Sequence, residues 1–96
     1  MSTREIYTAK IKLELDQLNL KMNKLDVKAN EAKEDAREKY KEEMGKLRAQ
    51  SKLAVAELES LKAATEDKWE SMVASVEKVR DAFSHSFNYF KSQLKA

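Results

Sequence analysis

The residues able to do chemistry in this chain are few and poorly spaced for it. There is one histidine, His85, and no cysteine. A zinc site needs several nitrogen or sulfur ligands converging on one ion, and a lone histidine does not provide them. Asp81 lies one helical turn before His85. That pair could hold a transition metal only if another chain brought further ligands, so a solvated histidine is the expectation. No Ser/His/Asp arrangement can be argued, because long helices offer no pocket on which such groups converge. Acids are numerous, yet nothing marks a desolvated carboxylate pair for acid–base work. The single glycine, Gly45, makes no phosphate-binding loop. The expectation is a non-enzymatic protein with no catalytic residue, no cofactor and no metal.

The elements that would have to position any site are helices. Ile11, Leu15, Leu18, Met22, Leu25, Ala29, Ala32 and Ala36 recur at alternating steps of four and three. The stripe continues through Tyr40, Met44, Leu47, Ala54, Leu58, Leu61, Trp69, Met72, Val76, Val79, Phe83, Phe87, Phe90 and Leu94. This is one face of an amphipathic helix. There is no proline. From Ile11 to Ala36 the spacing is heptad; from Ala36 to Leu47 it shifts to an eleven-residue unit, which relaxes a left-handed supercoil. The fold class expected is all-α: a coiled coil or helical bundle, as a hairpin or as an extended helix pair within an oligomer.

Composition agrees. The chain has 96 residues, of which 38% are charged, well above the usual quarter. Such a chain suits thin helices that bury one stripe and solvate the rest. As one straight helix it would be about 140 Å long, with its stripe in water. The stripe must therefore meet another copy, the same chain folded back, or a lipid surface. The 19 basic and 17 acidic residues nearly balance. No basic face or run of the kind that nucleic acid requires stands out. The opening residues carry no apolar core of a secretory signal, and the uncharged stretch beginning at Ala82 is far too short to span a membrane. A soluble, cytoplasmic protein is expected.

Along the chain, Ser2 and Glu5 form a capping-box pattern. One helix is expected over about 3–62, a break over about 63–66, and a second helix over about 66–94, all within a single domain, 1–96. Thr65 is a good N-cap before Glu66 and Asp67, and no large apolar residue occupies the stripe between Leu61 and Trp69. A turn at Gly45 and an uninterrupted helix are the alternatives. The stretch from Asn30 to Lys46 is mostly charge, with Asp35/Lys39 and Glu42/Lys46 at the stabilising i,i+4 spacing. Its alanine-lined face reads as a slender, weakly packed stalk.

A second apolar line, Ile6, Leu13, Leu20 and Val27, repeats every seven residues nearly opposite the main stripe. One neighbour cannot cover both faces, so second-face packing onto a further helix is expected. The C-terminal helix is aromatic, and aromatics dominate the energetics of interfaces they enter. The expected self-association seam is Ile11, Leu15, Leu18, Met22, Leu25, Leu58, Leu61, Trp69, Met72, Val76, Val79, Phe83, Phe87, Phe90 and Leu94, with a homo-oligomer as the product. A lipid- or granule-binding amphipathic helix is the other reading of the same aromatics.

The opening Met1-Ser2-Thr3-Arg4-Glu5-Ile6-Tyr7, with Lys10, Leu15-Asp16 and Lys24-Leu25, and the later run Leu61 to Glu70 resemble a family of short, charged bacterial coiled-coil proteins loosely labelled stress-response proteins. The resemblance spans nearly the whole chain. It implies a bacterial, cytoplasmic, non-enzymatic helical protein and carries over no functional residues. The aromatic C-terminal helix is also similar, more distantly, to that of phasins, the amphipathic proteins that coat polyester storage granules.

Overall fold

The computed structural model describes residues 2–95. They form three α-helices and no strand: α1 Thr3–Asn30, α2 Glu34–Lys62 and α3 Glu66–Lys95. The helices run up, down and up in a slender bundle of 50 × 20 × 17 Å. The stripe thus meets its own chain, folded back twice.

Helix α1 starts where its cap pattern places it. The Ser2 hydroxyl accepts a hydrogen bond from the Glu5 backbone N–H at 3.2 Å, satisfying a donor with no partner inside the helix. The expected break near Thr65 is present. Helix α2 ends at Lys62, Ala63 follows as its C-cap, and the Thr65 carbonyl accepts the first bond of α3 from the Lys68 N–H at 3.1 Å. Glu66 and Asp67 occupy the first turn, where the helix dipole favours negative charge.

The expectation of one helix over 3–62 is corrected, because the chain also turns at 31–33. Glu31 caps α1, and Lys33 begins α2 in an extended conformation (φ −61°, ψ 151°). No residue here has positive φ, so neither glycine nor proline is needed. The Arg37 guanidinium donates to the Ala32 carbonyl at 3.3 Å, holding the turn from outside. Lys28 lies in the last turn of α1, and Glu34 and Asp35 lie in the first turn of α2. Both placements suit the helix dipoles. Gly45, the alternative turn, sits inside α2 in ordinary helical backbone. The expected Glu42 partner of Lys46 is replaced by Glu43, at 3.5 Å.

All three helices turn the stripe inward. Ile11, Leu15, Met22, Leu25 and Ala29 of α1 meet Met44, Leu47, Ala54, Leu58 and Leu61 of α2 and Val76, Phe83, Phe87 and Phe90 of α3. Leu18, Tyr40, Trp69, Met72, Val73, Val79 and Leu94 are partly buried around them. Phe83, Ile11 and Leu61 are fully enclosed; burying a side chain of this size contributes about 1.5–3 kcal/mol. At the end of the bundle where the α1–α2 turn lies, alanines alone would pack thinly. There Tyr40 meets Phe90 edge-to-face, with ring centroids 5.8 Å apart, so the aromatic α3 supplies the bulk that Ala29, Ala32 and Ala36 lack.

Candidate interaction face

Polar seams between the helices fix which part of α1 is left outside. Toward α2, the Ser51 hydroxyl donates to the Asn19 side-chain oxygen, and Arg48 pairs with Asp26 at 2.7 Å. Toward α3, the Tyr7 hydroxyl donates to Glu77 at 3.0 Å and Arg80 pairs with Glu14 at 3.1 Å. Arg4 stacks over the Trp69 ring at 4.4 Å and donates to the Ala64 carbonyl, tying the start of α1 to the α2–α3 turn. Trp69 in turn meets Tyr7 edge-to-face at 6.0 Å.

The α3 seam perturbs two of its groups. Burial, and then the Glu77 carboxylate that accepts its hydrogen bond, push the Tyr7 phenol up to about 12. Burial alone would lower the Arg80 pKa, but Asp81 and Glu14 outweigh it and hold the guanidinium above its ordinary value. These contacts join side chains far apart in sequence. The only trace of them in the sequence is that Tyr7 and Glu14 stand one heptad apart beside the apolar stripe.

Between the two seams lies the row Ile6, Leu13, Leu20 and Val27. These side chains are 56%, 59%, 62% and 60% exposed. The bundle covers none of them, so the second-face packing expected of this row is not supplied by the chain itself. The residues expected to form a seam between copies lie elsewhere. Ile11, Leu15, Leu18, Met22, Leu25, Leu58, Leu61, Trp69, Met72, Val76, Val79, Phe83, Phe87, Phe90 and Leu94 all belong to the interior or its margin. In this arrangement that stripe is covered within one chain, and α1's outer row is exposed.

The row has unlike flanks. On the α2 side it is bordered by Glu5, Ala9, Lys12, Asp16 and Asn23, and on the α3 side by Lys10, Gln17, Lys21, Lys24 and Lys28, all exposed. Asp16 is also held by Lys12 of the preceding turn, at 2.9 Å. A shallow groove of about 490 Å³ separates the lysine flank from α3, lined by Leu18, Arg80, Asp81 and Ser84 among others.

His85 is exposed and borders a groove of about 260 Å³ between α2 and α3, beside Glu43, Lys46, Gln50, Ser86 and Tyr89. The Gln50 Oε1 atom is buried there without a hydrogen-bond partner. Among the described residues, no three His, Cys, Asp or Glu side chains are grouped as metal ligands, and no helix is long and apolar enough to cross a membrane.

Compared with models of protein families, with curated proteins and with solved structures, the chain matches none.

Proposed function

We propose that this chain is a non-enzymatic structural protein that acts by helix-to-helix contact, with the outer row of α1 as its contact face. The observation behind this reading is the strict seven-residue register of Ile6, Leu13, Leu20 and Val27 on the side of α1 turned away from the core. Isolated exposed aliphatics are common on any surface. Four in line along one helix, one every two turns, form a regular apolar row, and clustered exposed apolar side chains mark interaction sites.

A second reading, contact with an anionic lipid or granule surface, draws on Lys10, Lys21, Lys24 and Lys28 beside the same row. Their long stems can lie along an apolar layer while the ammonium groups reach anionic headgroups.

The test is the double substitution Leu13→Gln and Leu20→Gln. Both side chains are exposed, so helicity and thermal midpoint should stay close to wild type. Self-association, or binding to vesicles, should be lost. An unchanged association profile in sedimentation and vesicle pelleting overturns the reading.

A further inference from the structure

Resting on the second reading of α1's face, we infer that the bundle meets an anionic lipid bilayer with one half only, the α1/α3 groove toward the 31–33 turn. The charge of the two helices is lopsided there. Residues 17–30 of α1 carry Lys21, Lys24 and Lys28, and residues 82–94 of α3 carry Lys91 as their one formal charge. Asp26, the single acid of the two segments, turns to α2 and is held by Arg48 at 2.7 Å. Glu31 comes next, as the C-cap of α1. In the other half of the groove acids return: Glu14 and Asp81 are both held by Arg80, and Glu77 by Tyr7.

Register brings the four lysines together. Helices α1 and α3 run in the same direction, and Glu14 stands opposite Arg80. Lys21 and Lys28 follow Glu14 by seven and fourteen residues; Ser84 and Lys91 follow Arg80 by four and eleven. These spacings keep each set on the helix side that faces the groove, and Lys21 and Ser84 line it. Carried along from the Glu14–Arg80 pair, Lys91 falls beside Lys24. All four lysines are exposed, and Lys21 to Lys28 span about 10 Å of α1. Ammonium groups in so short a strip, with no carboxylate among them, repel one another and call for an anion.

The neighbouring surface decides which anion. Leu20 and Val27 stand beside Lys24 and Lys28 and are largely exposed. A bilayer accepts aliphatic side chains below its headgroups while lysine stems reach back to the phosphates. A nucleic-acid strand calls for aromatic rings on which its bases stack, and the exposed aromatic of α3, Tyr89, lines the grooves toward α2 instead.

The test is co-sedimentation with vesicles of phosphatidylcholine alone and of an equimolar mixture with phosphatidylglycerol. Wild type should bind the mixture, bind phosphatidylcholine far less, and lose the difference as salt is raised. Each of Lys21→Gln, Lys24→Gln, Lys28→Gln and Lys91→Gln should weaken binding roughly fivefold, with helicity unchanged. Lys10 lies about 16 Å along α1 from Lys21, beyond a screening length of about 8 Å, so Lys10→Gln should cost less than about twofold. Binding that falls equally with Lys10→Gln, or is indifferent to Lys91→Gln, overturns the half-face and keeps a lipid-binding chain. No preference for the anionic vesicles overturns both. Binding of a single-stranded oligonucleotide through the same four lysines, with none to vesicles, overturns the bilayer as occupant.

Discussion

Tyr7 and Glu77, seventy positions apart, are joined by a 3.0 Å hydrogen bond that links the first turns of α1 to the second half of the chain. The phenol is the donor, and its pKa is pushed up to about 12 by burial and by the carboxylate. A raised pKa means the folded chain holds this proton more tightly than the unfolded one. The contribution to stability is complete below pH 10, the ordinary tyrosine value, and is lost as pH rises from about 10 to about 12. Thermal unfolding of wild type and Tyr7→Phe between pH 8 and 12 reads it. The wild type should be the more stable below pH 10, and the gap should close toward pH 12. A gap that is constant or widens contradicts this account.

Phe83 sits at the centre of α3 with no exposed surface. Phe83→Ala removes its contacts with all the surrounding core and leaves a cavity, at a cost of about 3–5 kcal/mol. That is a large part of the 5–15 kcal/mol typical of a domain. Leu20→Ala, on the outer row of α1, should shift monomer stability by less than about 0.5 kcal/mol. Urea unfolding at low protein concentration separates them. Near-equal losses would show that Leu20 is covered.

The apolar stripe was fully legible as the core face, and Thr65 with its two acids marked one turn. The turn at 31–33 was hidden because the stripe crosses it in phase: Ala29, Ala32 and Ala36 keep helical spacing whether or not the backbone is continuous. The same absence of bulk that marks the gap between Leu61 and Trp69 also runs from Leu25 to Tyr40, and Lys28, Glu34 and Asp35 carry the matching dipole signs. The outer row of α1 was visible as a repeat. That the main stripe closes on its own chain was not, because periodicity describes a face and not what covers it. The Tyr7–Glu77 and Glu14–Arg80 contacts follow only once three helices are set in register.

Gly45 is interior to α2, and a methyl group built on it meets nothing within 4 Å. Its backbone is helical, with no positive φ to relieve. Gly45→Ala therefore adds no clash and reduces the freedom of the unfolded chain. It should stabilise the bundle by about 0.5–1 kcal/mol, raising the thermal midpoint by several degrees. A decrease would place a turn or a required close approach at this position.

Lys33 stands at the N-cap of α2 in the extended conformation that a cap requires, yet its side chain makes no capping hydrogen bond. Lysine has no acceptor to offer there, and its positive charge faces the positive end of the helix dipole. Asp or Ser at this position would accept from the free N–H groups of the first turn. Lys33→Asp should stabilise by about 1 kcal/mol; Lys33→Ala, which removes the charge without adding an acceptor, should gain less. If α1 and α2 were one continuous helix, residue 33 would be an interior position, where aspartate is a poorer helix former than lysine. Lys33→Asp would then destabilise. The sign of this one substitution, measured by thermal unfolding, distinguishes the three-helix bundle from a long uninterrupted helix.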